Sequence, residues 1–407
     1  MMLSQMWMAT MMCRRGISKQ LLLRLAASCL LFATYAHVPG LLWAQTATED
    51  RLLYRGWWPR HSTSSGNVYA GPAECAKCHP GKARAQKNTP MARTAAPVAD
   101  SGILAGHGRL TFQAGRISYQ IARSEGKTVY TVTDGRRSIS APLTWSFGDG
   151  HVGQSYLFER DGNLYESRVS YFDTLKALEF TPGRKLNEPQ DLEQAMARPV
   201  TGAELVRCFA CHTTSSTIND KFERGQMIPG ITCEACHGPG LNHVAAQEIA
   251  YLQGGAWETG QDADLIFDPG KLNPADAVDF CGACHGTWWD VKLGGLVGLA
   301  NLRAQPYRLE KSRCWGKKGD ARLVCVACHD PHQELVRDSG YYDRNCLSCH
   351  LTSTAVKPTT DHQGPTCKVS IKNCASCHMP KYEDSRMHYT FTDHYIRVVR
   401  PGAPYPD

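Results

Sequence analysis

An alternation of apolar and polar residues marks the chain between residues 105 and 175. Three segments follow this period-two pattern, which is typical of half-buried strands: Arg109–Gln113, Arg116–Ala122 and Thr128–Thr133. The turn-forming dipeptides Glu125-Gly126 and Asp134-Gly135 separate them. We therefore expect consecutive antiparallel strands joined by tight turns.

A hairpin is predicted next along the chain. The segments Ser155–Glu159 and Leu164–Tyr171 flank Asp161-Gly162, a dipeptide suited to the left-handed backbone of a two-residue hairpin turn. Together these patterns predict a small antiparallel sheet over residues 105–175, inside a β-rich subdomain at 105–200. Such a sheet is usually scaffold, and the alternative is a surface that recognises a partner or covers a cofactor.

Two other apolar patterns are present. Residues 243–256 place Val244, Ala245, Ile249 and Leu252 at helical spacing. Near the N-terminus, a basic stretch from Arg14 to Arg24 precedes an apolar run from Leu25 to about Trp43, the arrangement of an export signal. We expect residues 1–45 to be a signal peptide or an uncleaved membrane anchor. The rest of the protein is then expected in the periplasm, exported by the general secretory route.

Cysteine use determines the predicted chemistry. Fourteen of the 18 cysteines belong to seven copies of Cys-x-x-Cys-His, numbered here motifs 1 to 7. They are Cys75-Cys78-His79, Cys208-Cys211-His212, Cys233-Cys236-His237, Cys281-Cys284-His285, Cys325-Cys328-His329, Cys346-Cys349-His350 and Cys374-Cys377-His378. In this motif two thiols add to the vinyl groups of a porphyrin, and the histidine ligates its iron from one face. The sequence therefore predicts seven covalent haems c.

Zinc and disulfide bonds are the competing interpretations of the cysteine pairs. Zinc ribbons also use paired cysteines, but they place no requirement on the residue after the second one. Here histidine follows all seven pairs. A disulfide framework is disfavoured because closely spaced Cys-x-x-Cys pairs are usually redox or metal units.

The motifs are unevenly distributed along the chain. Motif 1 lies alone in a segment at 46–104, and the other six fall between residues 208 and 378, about one per 28 residues. So much cofactor leaves little room for a side-chain core. We expect a mostly α-helical and irregular six-haem domain at 201–400 with haem as its core, followed by a tail at 401–407.

The net charge of +7 does not indicate nucleic-acid binding. Four of the basic residues lie in the first 45 residues, which contain no acidic residue, so the remainder carries +3. Each ferric haem adds about −1, which would bring the loaded protein to roughly −4. Lysine and arginine are better explained as partners of the haem propionates.

Eight histidines outside the motifs and the N-terminal segment are candidates for the opposite face of each iron. They are His61, His107, His151, His243, His332, His362, His388 and His394. Eight candidates for seven irons favour mostly bis-histidine haems, which have no vacant position and suit electron transfer. Met91 is a further candidate for motif 1.

Two of these histidines follow a motif closely. His332 lies three residues after His329, and His243 lies six residues after His237 across a Gly-Pro-Gly turn. Neither can reach the opposite face of its own haem, so each is expected to ligate a neighbouring haem. Such ligands would hold adjacent haems close together.

The motif contexts resemble a known family. The segments 233–244 (CEACHGPGLNHV), 325–332 (CVACHDPH) and 374–381 (CASCHMPK), with Thr392-Asp393-His394-Tyr395-Ile396-Arg397, resemble multihaem cytochromes of the cytochrome c554 and hydroxylamine oxidoreductase-like family. Residues 147–162 resemble the N-terminal part of related cytochromes that carry tetratricopeptide repeats, which are missing here. The resemblance covers most of residues 70–400 and implies His151, His243, His332 and His394 as distal ligands. It does not specify a substrate.

Two cysteines remain outside both the motifs and the N-terminal segment. Cys314 and Cys367 form an even pair in an oxidising compartment, so a disulfide is expected, with two free buried thiols as the alternative.

An electron carrier is the preferred function, without catalytic residues. Its partners would be redox proteins: a quinol-linked donor, a terminal reductase or an outer-membrane conduit. The alternative is an oxidoreductase acting on nitrite, hydroxylamine or sulfur oxyanions, with one haem open to substrate. Motif 1 would be its site, and His388 could serve as a pocket acid. A third hypothesis is a structural subunit of an extracellular conduit.

Overall fold

The computed structural model describes residues 68–183, 189–218, 221–254, 265–315, 322–350, 367–400 and 402–407. All belong to one unit, Thr48–Asp407. The expectations for the segment 1–45 and for His61 and His362 lie outside the described residues. No helix in the described ranges is long and apolar enough to cross a membrane.

A ten-stranded antiparallel sheet dominates the N-terminal half. Its strands are β1 (Ala95–Pro97), β2 (Arg109–Ala114), β3 (Ile117–Ser124), β4 (Lys127–Thr133), β5 (Ser138–Phe147), β6 (Gly153–Arg160), β7 (Asn163–Ser167), β8 (Val169–Phe172), β9 (Ala177–Phe180) and β10 (Ala197–Val200). The main order is β10-β7-β6-β5-β4-β3-β2. In addition, β1 pairs with β5, and β8 pairs with β6 and β9.

The prediction of a small sheet is therefore wrong, because the sheet extends from residue 95 to residue 200. The strand that joins its two halves, β5, pairs with β4 through its first half and with β6 through its second. Pro142 and several hydroxyl residues interrupt the alternation in β5, so the pattern does not reveal it. Strands β1, β9 and β10 have three or four residues, too few to show a period.

The predicted strands and hairpin are confirmed. Strands β2, β3 and β4 run antiparallel, with Ile121 opposite Tyr130 and both side chains buried. Strands β6 and β7 form the hairpin across Asp161 and Gly162, which have φ of 50° and 75°. Both central residues are left-handed, as a two-residue turn with the twist of the sheet requires.

Short helices and irregular segments make up the rest of the described chain. The helices are α1 (Pro72–Cys78), α2 (Pro80–Lys87), α3 (Gly102–Gly106), α4 (Leu192–Met196), α5 (Gly202–His212), α6 (Cys233–His237), α7 (Leu241–Leu252), α8 (Pro274–His285), α9 (Trp288–Gly294), α10 (Gln305–Glu310), α11 (Asp343–Leu347) and α12 (Cys374–His378). Helix α7 confirms the prediction from helical spacing after residue 243.

Four two-residue strands and one hairpin lie outside the main sheet. The small strands β11 (Thr213–Thr214), β12 (Thr217–Ile218), β13 (Lys221–Phe222) and β14 (Ile228–Pro229) connect motif 2 to motif 3. The hairpin of β15 (Lys381–Asp384) and β16 (Tyr389–Thr392) follows motif 7.

At Gly230 the segment after motif 2 packs closely against the segment that follows α2. Its φ is +74°, and a Cβ built there would lie 2.0 Å from the Ala92 carbonyl oxygen. We expect Gly230→Ala to reduce the free energy of unfolding by at least about 1–3 kcal/mol, the cost of backbone strain alone. Chemical denaturation would measure it. Gly81→Ala is the control, since nothing lies within 4 Å of that added Cβ. Equal stability of the two variants would contradict the expectation.

Candidate haem centre

Each motif lies on a short helical turn or runs into one. Motifs 3 and 7 are themselves one-turn helices, α6 and α12, and motifs 2 and 4 end the longer helices α5 and α8. Motif 5 forms a 3-10 turn at Cys325–Ala327. Positions three apart share one face of a helix, so both thiols point to the same side and the histidine follows them.

Several histidines are oriented by a backbone carbonyl. In each of four, Nδ1 lies within hydrogen-bond distance of a carbonyl oxygen: His212 with Thr94 (3.1 Å), His237 with Phe267 (2.9 Å), His378 with Arg397 (2.9 Å) and His394 with Thr392 (3.1 Å). This contact favours the tautomer with Nδ1–H, which leaves Nε2 with a lone pair for a metal.

Two pairs of histidine rings have the separation that one iron requires. The ring centroids of His237 and His332 are 6.1 Å apart, and those of His329 and His394 are 6.3 Å apart. Two metal–imidazole bonds of about 2.0 Å, with each centroid about 1.1 Å behind its nitrogen, give roughly 6.2 Å. These four side chains therefore fit a haem iron bound on both faces.

Burial favours the neutral form of five imidazoles, three of which belong to the facing pairs. It lowers the pKa of His212, His237, His285 and His329, and it lowers that of His394 to about 4. A histidine must be neutral to ligate a metal. At neutral pH these side chains are in the required state.

Cysteines of different motifs lie against each other. The pairs close enough to affect each other's thiol pKa are Cys75 with Cys233, Cys211 with Cys284, Cys281 with Cys325, and Cys346 with Cys374. They join motifs 1 and 3, motifs 2 and 4, motifs 4 and 5, and motifs 6 and 7. The spatial neighbours therefore differ from the order along the chain.

Two further contacts connect these pairs. His332 follows motif 5 yet faces His237 of motif 3, so motifs 3 and 5 are adjacent. Asn345 beside motif 6 donates its side-chain amide to the Ala327 carbonyl of motif 5, at 3.0 Å. The resulting order is 1-3-5-4-2, with 6-7 branching from motif 5.

A comparison with known families identifies the cofactor class. Residues 169–238 match the family model of cytochrome c554 and c-prime, and this segment contains motifs 2 and 3. The chain belongs to the multihaem c-type cytochromes. This family match implies that the cytochrome binds haem c covalently.

Two other comparisons add little to this assignment. The solved structure of the outer cell wall cytochrome OcwA is similar with a TM-score of 0.40 and 16% identity, over 81% of this chain and 80% of that chain. No curated protein matches the sequence.

A buried ion pair includes the residue that precedes His394 in the cytochrome. Asp393 precedes His394, and its two carboxylate oxygens accept from Arg308 at 2.8 and 2.9 Å. Both side chains are completely buried. Arg397 donates to the same carboxylate at 2.7 Å, and Arg308 also donates to the Pro406 carbonyl at 2.8 Å. The sequence pattern does not reveal this network, because Arg308 lies 85 residues from Asp393.

The other histidine candidates lie in different surroundings. His151, His388 and His107 contact the rings of Tyr389, Phe172 and Tyr171, respectively. Their assignment as distal ligands stays a prediction, as does that of His243 in α7. Met91 begins a 3-10 turn and accepts a backbone bond from Ile231 at 2.9 Å.

His388 also lines an open cleft at the end of the β15–β16 hairpin. The cleft has a volume of about 480 Å³ and includes Thr174, Glu383 and Tyr389. The described residues contain no cluster of three or more His, Cys, Asp or Glu arranged to hold a bare metal ion.

The expected disulfide between Cys314 and Cys367 is not formed in the structure. Both are free thiols, Cys314 half-buried and Cys367 exposed. Cys314 lies near Cys328 and Cys349 of motifs 5 and 6. Cys314 therefore lies beside cysteines of two motifs.

Proposed function

We propose that the protein is a periplasmic heptahaem cytochrome that transfers electrons between redox partners, using haems with mostly bis-histidine ligation. The observation that carries this proposal is the pairing of His237 with His332 and of His329 with His394 at one-iron separation. A haem with both faces ligated supplies one-electron iron chemistry and offers substrate no open position.

The chain contributes spacing and ligand orientation to this function. His329 and His332, three residues apart, face different partner histidines, so a single loop contributes a ligand to each of two haem sites. The contacts among motif cysteines support a route through motifs 1-3-5-4-2 with a branch to motifs 6 and 7. Motif 5 would then be the junction of three arms.

The proposed setting follows from the cofactor and the N-terminal pattern. The basic and apolar order of residues 14–43 supports export to the periplasm. Within the multihaem cytochromes, we assign the chain to the cytochrome c554 and hydroxylamine oxidoreductase-like branch. Its proposed partners are a quinol-linked donor and either a terminal reductase or an outer-membrane conduit.

Haem quantification with low-temperature EPR of the fully ferric, matured protein tests the proposal. We expect seven haems per chain, all low-spin, and no uptake of cyanide or nitric oxide by the protein. About one equivalent of high-spin haem that binds cyanide or nitric oxide would favour the oxidoreductase instead. Nitrite, hydroxylamine and sulfur oxyanions would then be assayed. Fewer than seven haems would contradict the count.

A further inference from the structure

Glu234 lies inside motif 3, between its two cysteines, and only 1% of it is exposed. Its carboxylate accepts three backbone N–H groups. Ala70 and Gly240 donate to Oε1 at 2.7 and 2.8 Å, and Gly71 donates to Oε2 at 2.8 Å. Hydrogen bonds from several amides stabilise the ionised carboxylate, so a negative charge is held in the interior.

Among the described residues, backbone amides alone contact the Glu234 carboxylate. Every hydrogen bond to its side chain comes from a backbone amide, and no lysine or arginine of the described residues forms an ion pair with it. Unlike the carboxylate of Asp393, which two arginines contact, this carboxylate has no cationic partner in the part of the chain that the structure describes. Its field therefore extends to whatever is bound at the neighbouring motifs.

The same carboxylate joins motif 3 to motif 1. Gly71 is the N-cap of α1, the helix that carries Cys75, and Cys75 interacts with Cys233 beside Glu234. A second bond supports the junction, from the Leu241 amide to the Val68 carbonyl at 3.0 Å. The fit is close at Gly240, where an added Cβ would lie 3.3 Å from Oε1 of Glu234.

We propose that Glu234 is a positioning residue that fixes motif 1 against motif 3 and lowers the reduction potentials of the two haems attached there. This inference rests on the proposed function. A fixed negative charge in a weakly screened interior stabilises the ferric form of a nearby haem more than the ferrous form, because the ferric form carries one more positive charge. The haems at motifs 1 and 3 would then form a low-potential arm of the cytochrome.

Spectroelectrochemical titration of Glu234→Gln tests the inference. Glutamine keeps the shape and one acceptor oxygen but removes the charge and loses one of the three amide bonds. The midpoint potential of at least one haem is expected to rise relative to the wild type. Glu74→Gln is the matched control, because Glu74 lies in α1 but pairs with Lys77 at the surface. Its titration curve is expected to match the wild type.

The outcomes separate this inference from the proposed function. Unchanged potentials in fully loaded Glu234→Gln would overturn it, even if the wild type carries seven low-spin haems. Should this variant be too unstable to titrate, Glu234→Asp, which keeps the charge with a shorter reach, is titrated instead. Its potentials are expected to stay close to the wild type, and a rise would contradict the role of the charge.

Discussion

Replacing Arg308 with leucine is expected to reduce the free energy of unfolding by about 3–5 kcal/mol, the range for breaking a buried ion pair from one side. The change would leave the Asp393 carboxylate buried, with Arg397 as its remaining cationic partner. It would also remove the contact that joins α10 to the Pro406 carbonyl. Because Asp393 is adjacent to His394, the low-spin signal of one haem should weaken as well.

Chemical denaturation of the loaded protein would measure the loss in Arg308→Leu. Arg400→Leu is the control, since Arg400 is exposed. The double variant Arg308→Leu/Asp393→Leu removes both charges and is expected to lose less stability than the single variant. If Arg308→Leu proved as stable as Arg400→Leu, the buried ion pair would make no contribution to the stability of the fold.

Replacing His332 with alanine is expected to convert one haem from low-spin to high-spin while the other haems keep their spectra. The reason is the 6.1 Å separation of the His332 and His237 rings, which would place one imidazole on each face of a single bound iron. His332 is half-buried at the end of a short turn, so the fold should tolerate the change. The vacated position would accept carbon monoxide or cyanide.

EPR and ligand-binding difference spectra on the same sample measure this effect. Gln333→Ala is the control, because Gln333 is the exposed neighbour of His332. His394→Ala should affect a different haem, so the double variant is expected to show two high-spin haems. Seven low-spin haems in His332→Ala would exclude His332 as a ligand.

Local chemistry could be predicted from the sequence because it is encoded in adjacent residues. The Cys-x-x-Cys-His motifs, the Asp161-Gly162 hairpin and helix α7 all depend on neighbours in the chain. A role for His332 at a haem other than that of His329 could also be predicted, since the two residues are too close in the chain to reach both faces of one iron. Its pairing with His237 required the fold, because 95 residues separate the two.

The missed features depend on contacts between distant residues. Glu234 occupies a variable position of its motif, and only the approach of residues 70 and 71 makes it a buried acceptor. Arg308 looks like a surface residue of a short helix until Asp393 and the tail cover it. The size of the sheet was underestimated because Pro142 interrupts the strand pattern of β5. Pairing with β4 and β6, not its own residue pattern, makes this segment a strand.

The contacts between cysteines of different motifs constrain how the protein is assembled. In the proposed periplasmic setting, a chain that folded first would bring Cys75 to Cys233 and Cys211 to Cys284 as free thiols. Disulfides could then join motifs and block the vinyl additions. We expect attachment to precede folding, while the chain is still extended and each pair of thiols is separate. The contacts of the folded protein thus indicate that haem attachment comes before folding.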